Sequence, residues 1–272
     1  MDIRVLGPLE VQFCGRTVAP TAAKERKLLA MLTVHAGELV PDSALFEELW
    51  GGKIPRSART TLQTYVLHLR SMIGAAGAGA EDGRDRDPKA ILAREIGGYV
   101  LRDEGFTIDV KEFDRLAEAG HRAREGGDFA GASEKFGRAL ALWRGRALAD
   151  VMPGGLLEVE VHRLEEARLC VLDRRIDADL RLGRHHELLG ELTALVARNP
   201  THEGLHGHLM LALQRAGRRG DAIDVYLRLR TRLVEGLGLE PSLTLRRLHR
   251  CILTSDQEPT RPGEALFPAL TA

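Results

Sequence analysis

The sequence predicts a mostly α-helical protein: a winged helix-turn-helix with a small β-sheet, three helices and a wing hairpin, followed by an all-α, tetratricopeptide-like helical repeat domain. Three observations carry this expectation. In roughly the first hundred residues, three stretches of helical periodicity precede two short strand-like runs around paired glycines. Beyond Phe106-Thr107 the pattern is nearly all helical, rich in Ala, Leu, Arg and Glu, with glycine-marked connectors. Within that second half, helix pairs echo one another. With 272 residues and 44% hydrophobic content, the chain can bury two cores, so two domains are expected.

The opening Ile3-Arg4-Val5-Leu6-Gly7-Pro8-Leu9-Glu10-Val11 tends toward strand alternation and meets a turn at Gly7-Pro8, with Cys14-Gly15-Arg16 as a second turn; a small N-terminal sheet is expected. After Lys24-Glu25-Arg26-Lys27, Leu28, Leu29 and Leu32 line one face of a first helix that closes at His35-Ala36-Gly37. A short second helix carries Leu45 and Leu49, and with Pro41 at its opening the cap is expected from Asp42 or Ser43. Two glycines and a proline in Trp50-Gly51-Gly52-Lys53-Ile54-Pro55 force a loop, with Trp50 expected in the core. A third helix runs from Ser57 to about Ile73, and Gly74 to Lys89 has the composition of a mobile loop. Ile91 to Leu101, broken by Gly97-Gly98, reads as a hairpin, and three helices followed by a hairpin is winged-helix order.

The winged helix is expected over residues 1–103 and the helical domain over 107–254, with a disordered tail over 255–272, where Pro259, Pro262 and Pro268 interrupt any helical pattern. In the helical half, Leu182-Gly183-Arg184 and Ala216-Gly217-Arg218 each separate two helices, and a similar unit surrounds Gly127-Asp128-Phe129. Helix pairs of this kind stack into solenoids whose concave faces bind other macromolecules.

Composition removes several function classes. No run of about 18 uncharged apolar residues exists, and Met1-Asp2-Ile3-Arg4 lacks the basic-then-apolar pattern of a secretory signal, so a cytoplasmic, nucleoid-associated protein with no membrane partner is expected. Cys14, Cys170 and Cys251 are odd in number and far apart, and are expected as reduced, packed residues. No phosphate-cradling G-x-x-x-x-G-K-[ST] motif occurs, and no receiver domain is expected ahead of the winged helix. His202-Glu203-Gly204-Leu205-His206 matches the zinc-protease pattern H-E-x-x-H. It begins just after Asn199-Pro200, contains a glycine, and has no third ligand at suitable spacing, while His208 and the His185-His186 pair add exposed imidazoles. Neither metal nor cofactor is expected, and no enzyme activity.

Lys plus Arg equals Asp plus Glu at 39 each, so any nucleic-acid surface must be local. The third helix offers one. Leu62, Tyr65, Val66, Leu69 and Ile73 share its inward face; Thr60, Thr64, Leu67 and Ser71 project opposite; Arg59, Gln63 and Arg70 form one shoulder, Thr61 and His68 the other. From Leu49 through Ala80 there is no Asp or Glu, while Lys53, Arg56, Arg59 and Arg70 lie within the stretch. Arginine and lysine suit phosphates; Thr hydroxyls, Gln63 and His68 suit base edges, and Leu67 a thymine methyl. A solvated polar face would look similar from this helix alone, but the following hairpin favours a DNA reader. Arg94 near the wing tip is the expected wing contact, Gly98 permits the tight turn, and Tyr99 plugs the core. Lys24 and Arg26 of the first helix complete the candidate DNA surface.

Leu6-Gly7-Pro8-Leu9, Leu49-Trp50-Gly51, Thr61-Leu62-Gln63-Thr64-Tyr65-Val66 followed by Leu69-Arg70, and Gly98-Tyr99, in this order and spacing, resemble the Streptomyces antibiotic regulatory protein family. Leu209-Met210-Leu211-Ala212-Leu213 before Gly217-Arg218 resembles that family's bacterial transcriptional activation domain, so the resemblance spans about residues 1–253. It implies a pathway-specific activator of antibiotic and other secondary-metabolite genes, binding direct repeats in promoter DNA near the −35 region and contacting RNA polymerase. It also implies a polymerase-contact loop at Gly51, Gly52, Lys53, Ile54 and Pro55. A limited single-module interface implies a homodimer arranged head to tail on DNA, with sites about one helical turn apart. A helical-repeat adaptor that binds only protein is the alternative.

Overall fold

The computed structural model describes residues 2–13, 16–17, 19–77 and 87–254. The chain condenses into two compact units: residues up to Glu118 together with Gly137–Val171, and Ala119–Phe136 together with the chain from Leu172 onward.

In the first unit the elements run β1 (Asp2–Arg4), β2 (Glu10–Phe13), β3 (Arg16–Thr17), α1 (Ala23–Val34), β4 (Val40–Pro41), α2 (Asp42–Trp50), α3 (Ala58–Gly77), α4 (Pro88–Ile91), β5 (Leu92–Glu95), β6 (Gly98–Leu101) and β7 (Thr107–Ile108). Helices α5 (Asp109–Glu125), α6 (Phe129–Ala141) and α7 (Gly155–Arg181) are each divided between the units. One sheet has the order β3-β2-β1-β7, the other β4-β6-β5. Ile3 stands opposite Val11 across the antiparallel β1–β2 pair, and both are buried.

The core forms where the sequence periodicities converge. Leu28, Leu29 and Leu32 of α1 and Leu62, Val66, Leu69 and Ile73 of α3 are buried, and all of β6 is. A void of about 10 Å³ among Val11, Leu29, Leu32, Leu69, Ile73, Leu92 and Leu101 holds at most one water. The core between α1, α3 and the two sheets is therefore filled by its own side chains at that point.

Several local expectations are corrected. Neither Asp42 nor Ser43 caps α2: Pro41 occupies the cap position without a side-chain cap bond, because β4 holds it in extended conformation against Gly98. Trp50 is half-buried, not a core residue. Helix α3 continues through Gly74–Gly77, and the short α4 is capped by Asp87, whose carboxylate accepts from Lys89 N at 2.9 Å. The remainder of the expected loop, 78–86, lies outside the described residues, as do Cys14 and the tail 255–272. Cys170 and Cys251 are exposed thiols, not packed.

The two-residue β7 is invisible to periodicity. It pairs in parallel with β1 and delivers Asp109, at the start of α5, beneath the chain after β1. Both Asp109 oxygens accept from Val5 N, and one also from Leu6 N, all at 2.9 Å. Burial raises the Asp109 carboxyl above the ordinary range, with these backbone donors pulling the other way.

Glu48, on α2, is 1% exposed. Its carboxylate accepts from Gly154 N at 2.5 Å, Leu157 N at 3.0 Å and Leu156 N at 3.1 Å, satisfying donors that the start of α7 would otherwise leave orphaned.

The second unit adds α8 (His185–Arg198), α9 (Glu203–Arg215), α10 (Arg219–Leu237) and α11 (Leu243–Thr254). The repeats read in sequence become one geometry used three times. Gly127, Gly183 and Gly217 have φ of 79°, 77° and 74°. The next residue's N–H reaches five residues back in each case: Asp128 to Ala123 O at 2.9 Å, Arg184 to Asp179 O at 3.0 Å, Arg218 to Leu213 O at 2.8 Å. The glycine N–H bonds three residues back each time, completing a Schellman stop that turns one helix into the next. Leu188, Leu192, Leu205, Leu209, Met210, Leu229, Leu245 and Ile252 lie in the resulting core.

Candidate nucleic-acid interface

Helix α3 presents its outer face as its periodicity requires. Arg59, Thr60, Gln63, Thr64 and Ser71 are exposed, Thr61 and Arg70 are half-buried, and Leu67 is 63% exposed. The hydroxyls of Thr61 and Thr64 donate back to Ser57 O and Thr60 O, each at 3.0 Å, leaving their oxygens outward as acceptors. The side chains of Arg59 and Gln63, with those of Lys53 and Arg56 in the exposed loop before the helix, carry no hydrogen bond or ion pair among the described residues. In that loop Gly51 has φ of 61°, Gly52 and Pro55 are exposed, and Ile54 is 50% exposed.

Other members of the sequence-derived surface are engaged within the protein. Arg70 donates through Nε and Nη2 to Leu92 O at 3.0 and 2.6 Å, tying α3 to the first strand of the hairpin. Arg94 forms a bidentate pair with Asp42 at 2.5 and 2.7 Å and lies 4.6 Å from the Tyr99 ring centre. Arg26 donates to Pro20 O and Leu9 O and pairs with Asp150. Lys24 Nζ lies 4.9 Å from the Trp50 ring centre. His68 Nδ1 is 2.8 Å from Glu25 Oε1, so a carboxylate from α1 stands beside a helix that has none of its own. The linear sequence hides these engagements, because every partner lies on a different element.

The hairpin's glycines divide their work. The turn is Ile96-Gly97, and Gly97, with φ of 88°, supplies the positive φ that sequence reasoning gave to Gly98. Gly98 is required for another reason: a Cβ there would stand 2.2 Å from Val40 O. Tyr99 is buried at 3% exposure. Sequence reasoning passed over Ile96, which is 99% exposed at the tip; its only signal was an uncharged, β-branched residue in a turn.

The H-E-x-x-H residues serve local structure. His202 Nδ1 accepts from Leu205 N at 3.2 Å as the cap of α9; Glu203 accepts from Ser242 N at 2.8 Å; His206, 1% exposed, bonds His202 O at 3.0 Å. His208 is buried, not exposed, and pairs with Asp173 at 2.7 Å. Burial opposes ionisation of Asp173, yet His208, with Arg174 and His202, holds its carboxyl below the ordinary range. No helix among the described residues is long and apolar enough to cross a membrane.

Residues 16–101 match the family described as "Transcriptional regulatory protein, C terminal", and residues 108–253 match "Bacterial transcriptional activator domain". The chain is 46% identical over 263 residues to regulatory protein DnrI of Streptomyces peucetius, covering 97% of this chain and 96% of that protein. It is 38% identical over 270 residues to regulatory protein AfsR of Streptomyces coelicolor, covering 98% of this chain but 25% of that protein. Among solved structures, Mycobacterium tuberculosis EmbR in complex with a low-affinity phosphopeptide superposes with a TM-score of 0.87 at 33% identity, covering 96% of this chain and 66% of that one.

Proposed function

Because the chain belongs to the Streptomyces antibiotic regulatory protein family of transcriptional activators, we propose that it activates secondary-metabolite genes by reading direct repeats near the promoter −35 region and recruiting RNA polymerase. In this reading residues 1–103 are the DNA-binding domain and residues 107–254 the domain that contacts a second protomer or polymerase. The loop Gly51–Pro55 is a further polymerase contact, and two copies bind head to tail.

The observation that carries the proposal is the outer face of α3. It combines an acid-free helix, the unengaged side chains of Arg59 and Gln63, two outward threonine oxygens and the exposed Leu67. That is a mixed phosphate, base-edge and methyl-contacting surface of the kind a major-groove helix needs. Gln63, with two donors and an acceptor, suits adenine, and Arg59 suits a phosphate or a guanine edge.

Footprinting with the full chain on the promoters of neighbouring biosynthetic genes tests this, followed by binding titrations at several salt concentrations. Gln63→Ala together with Thr64→Ala is expected to lower discrimination between cognate and random duplex by about tenfold or more. Arg59→Ala is expected to weaken both, with a salt slope smaller by about 1. Protection absent from every such promoter, or discrimination unchanged in the double variant, refutes the assignment and leaves the protein-binding adaptor.

A further inference from the structure

Helix α3 has no acidic residue, yet a carboxylate reaches its outer face from another element. His68, one turn beyond Thr64, has a side chain 56% exposed, and its Nδ1 lies 2.8 Å from Oε1 of Glu25 on α1. The Glu25 side chain is only 12% exposed, so the carboxylate is packed in place. Helices α1 and α3 share a core at Leu29, Leu32, Leu69 and Ile73, and the two ends of the bond therefore ride on elements fixed to one another.

An exposed pair of this kind adds little to stability, and its larger effect is on the ring. An ionised carboxylate offers only acceptors, so the proton of the bond belongs to Nδ1, and His68 is held in one tautomer and one rotation. Nε2, on the far edge of the imidazole, carries no hydrogen bond among the described residues. With Nδ1–H committed to Glu25, Nε2 of the neutral ring is an acceptor. In the major groove its complements are the exocyclic amines, N6 of adenine and N4 of cytosine, whereas guanine N7 and O6 and thymine O4 are themselves acceptors.

We propose that Glu25 is a positioning residue for base discrimination: it holds His68 as the Nδ1–H tautomer, so that Nε2 accepts from an adenine or cytosine amine at one base pair of the repeat. This rests on α3 being the reader. Without Glu25 the ring rotates and exchanges tautomers, presenting a donor as readily as an acceptor, so discrimination at that pair is lost while phosphate contacts stay. A carboxylate with no such role acts on DNA by repulsion alone, and its removal raises affinity for every duplex alike. The two roles thus predict opposite results for the same substitution.

The test is competition binding of the full chain at about pH 8.5, where an ordinary imidazole is neutral, on footprinted promoter DNA and on duplexes with each base pair of the repeat replaced in turn. His68→Ala is expected to remove about tenfold of discrimination at one base pair and leave the others. Glu25→Ala is expected to remove about fivefold or more at the same pair, and the double variant no more than His68→Ala alone. Glu25→Gln keeps an oxygen that accepts from Nδ1 but has no charge, and is expected to retain discrimination within about twofold. Deleting the amine from the DNA, with purine for adenine or pyrimidin-2-one for cytosine at that pair, is expected to weaken the unmodified chain by the same factor and the His68→Ala chain not at all. Tighter binding of Glu25→Ala to cognate and random duplex by one common factor, with every preference intact, overturns the positioning role and leaves α3 as the reader. Equal weakening of the unmodified and His68→Ala chains on the amine-deleted duplex overturns the assignment of Nε2. Discrimination unchanged both in His68→Ala and in the variant carrying Gln63→Ala with Thr64→Ala overturns the reader itself. Thermal melting of Glu25→Ala is expected within about 2 °C of the unmodified chain, which separates a lost orientation from a lost fold.

Discussion

Replacing Glu48 by Ala removes one buried carboxylate that accepts three backbone N–H groups, from Gly154, Leu156 and Leu157, over 2.5–3.1 Å. Hydrogen bonds to a charged group contribute about 1.5–3 kcal/mol each, but three to one carboxylate are not additive, and loss of a helix cap typically costs about 1 kcal/mol. The donors left behind are enclosed, Leu157 being fully buried, so a partial desolvation penalty is added to the lost cap. A net loss of about 3 kcal/mol follows, between the single cap and the full sum. For a folding unit of roughly 150–250 residues this lowers Tm by about 6–12 °C. Glu48→Gln keeps the shape and one acceptor oxygen, and is expected to lose about half as much. Differential scanning calorimetry alongside urea denaturation of the two variants measures this. A melting temperature for Glu48→Ala within about 2 °C of the unmodified chain, with an unchanged urea m-value, would refute the reasoning, because it would mean that water already satisfies these donors.

Two further outcomes follow from the same structure. Asp109 has a carboxyl raised above its ordinary value of 3.8 by burial, so its contribution to stability is full at pH below that value and declines as pH rises through the raised one. The stability of the unmodified chain relative to Asp109→Asn is therefore expected to be greatest near pH 4 and to shrink toward neutrality; urea titrations across that range check it, and a difference that grows with pH would contradict the sign. Gly217 stops α9 at φ 74°, and a Cβ added there would meet nothing within 4 Å, so Gly217→Ala should cost about 1 kcal/mol from backbone strain alone, and Gly217→Asn less. Equal stability of the three forms would remove the left-handed stop from the account.

Much of the fold was legible because it is written in local patterns. The buried stripe Leu62, Val66, Leu69 and Ile73 follows helical spacing, the hairpin follows its glycine pair, and the three helix stops follow Gly127, Gly183 and Gly217. The exposed face of α3 was legible for the same reason, since the inward stripe of a helix defines its outward one. Short-range signals failed where an element is two residues long, as in β4 and β7, because a period cannot be read from two residues.

The sequence by itself determined the order of elements, the acid-free helix and the repeated helix pairs, since each depends on neighbours within a few residues. Only the tertiary structure decided which of the candidate cations remain available. Arg26, Arg70 and Arg94 found acceptors in Asp150, the Leu92 carbonyl and Asp42, at 124, 22 and 52 positions' distance along the chain. It also decided that Glu48 and Asp109, which composition counts only as two surface-type acids, are buried helix and chain anchors. The physical reason is range: propensity and periodicity act along the chain, whereas a buried charge takes whatever partner the fold brings within hydrogen-bond distance.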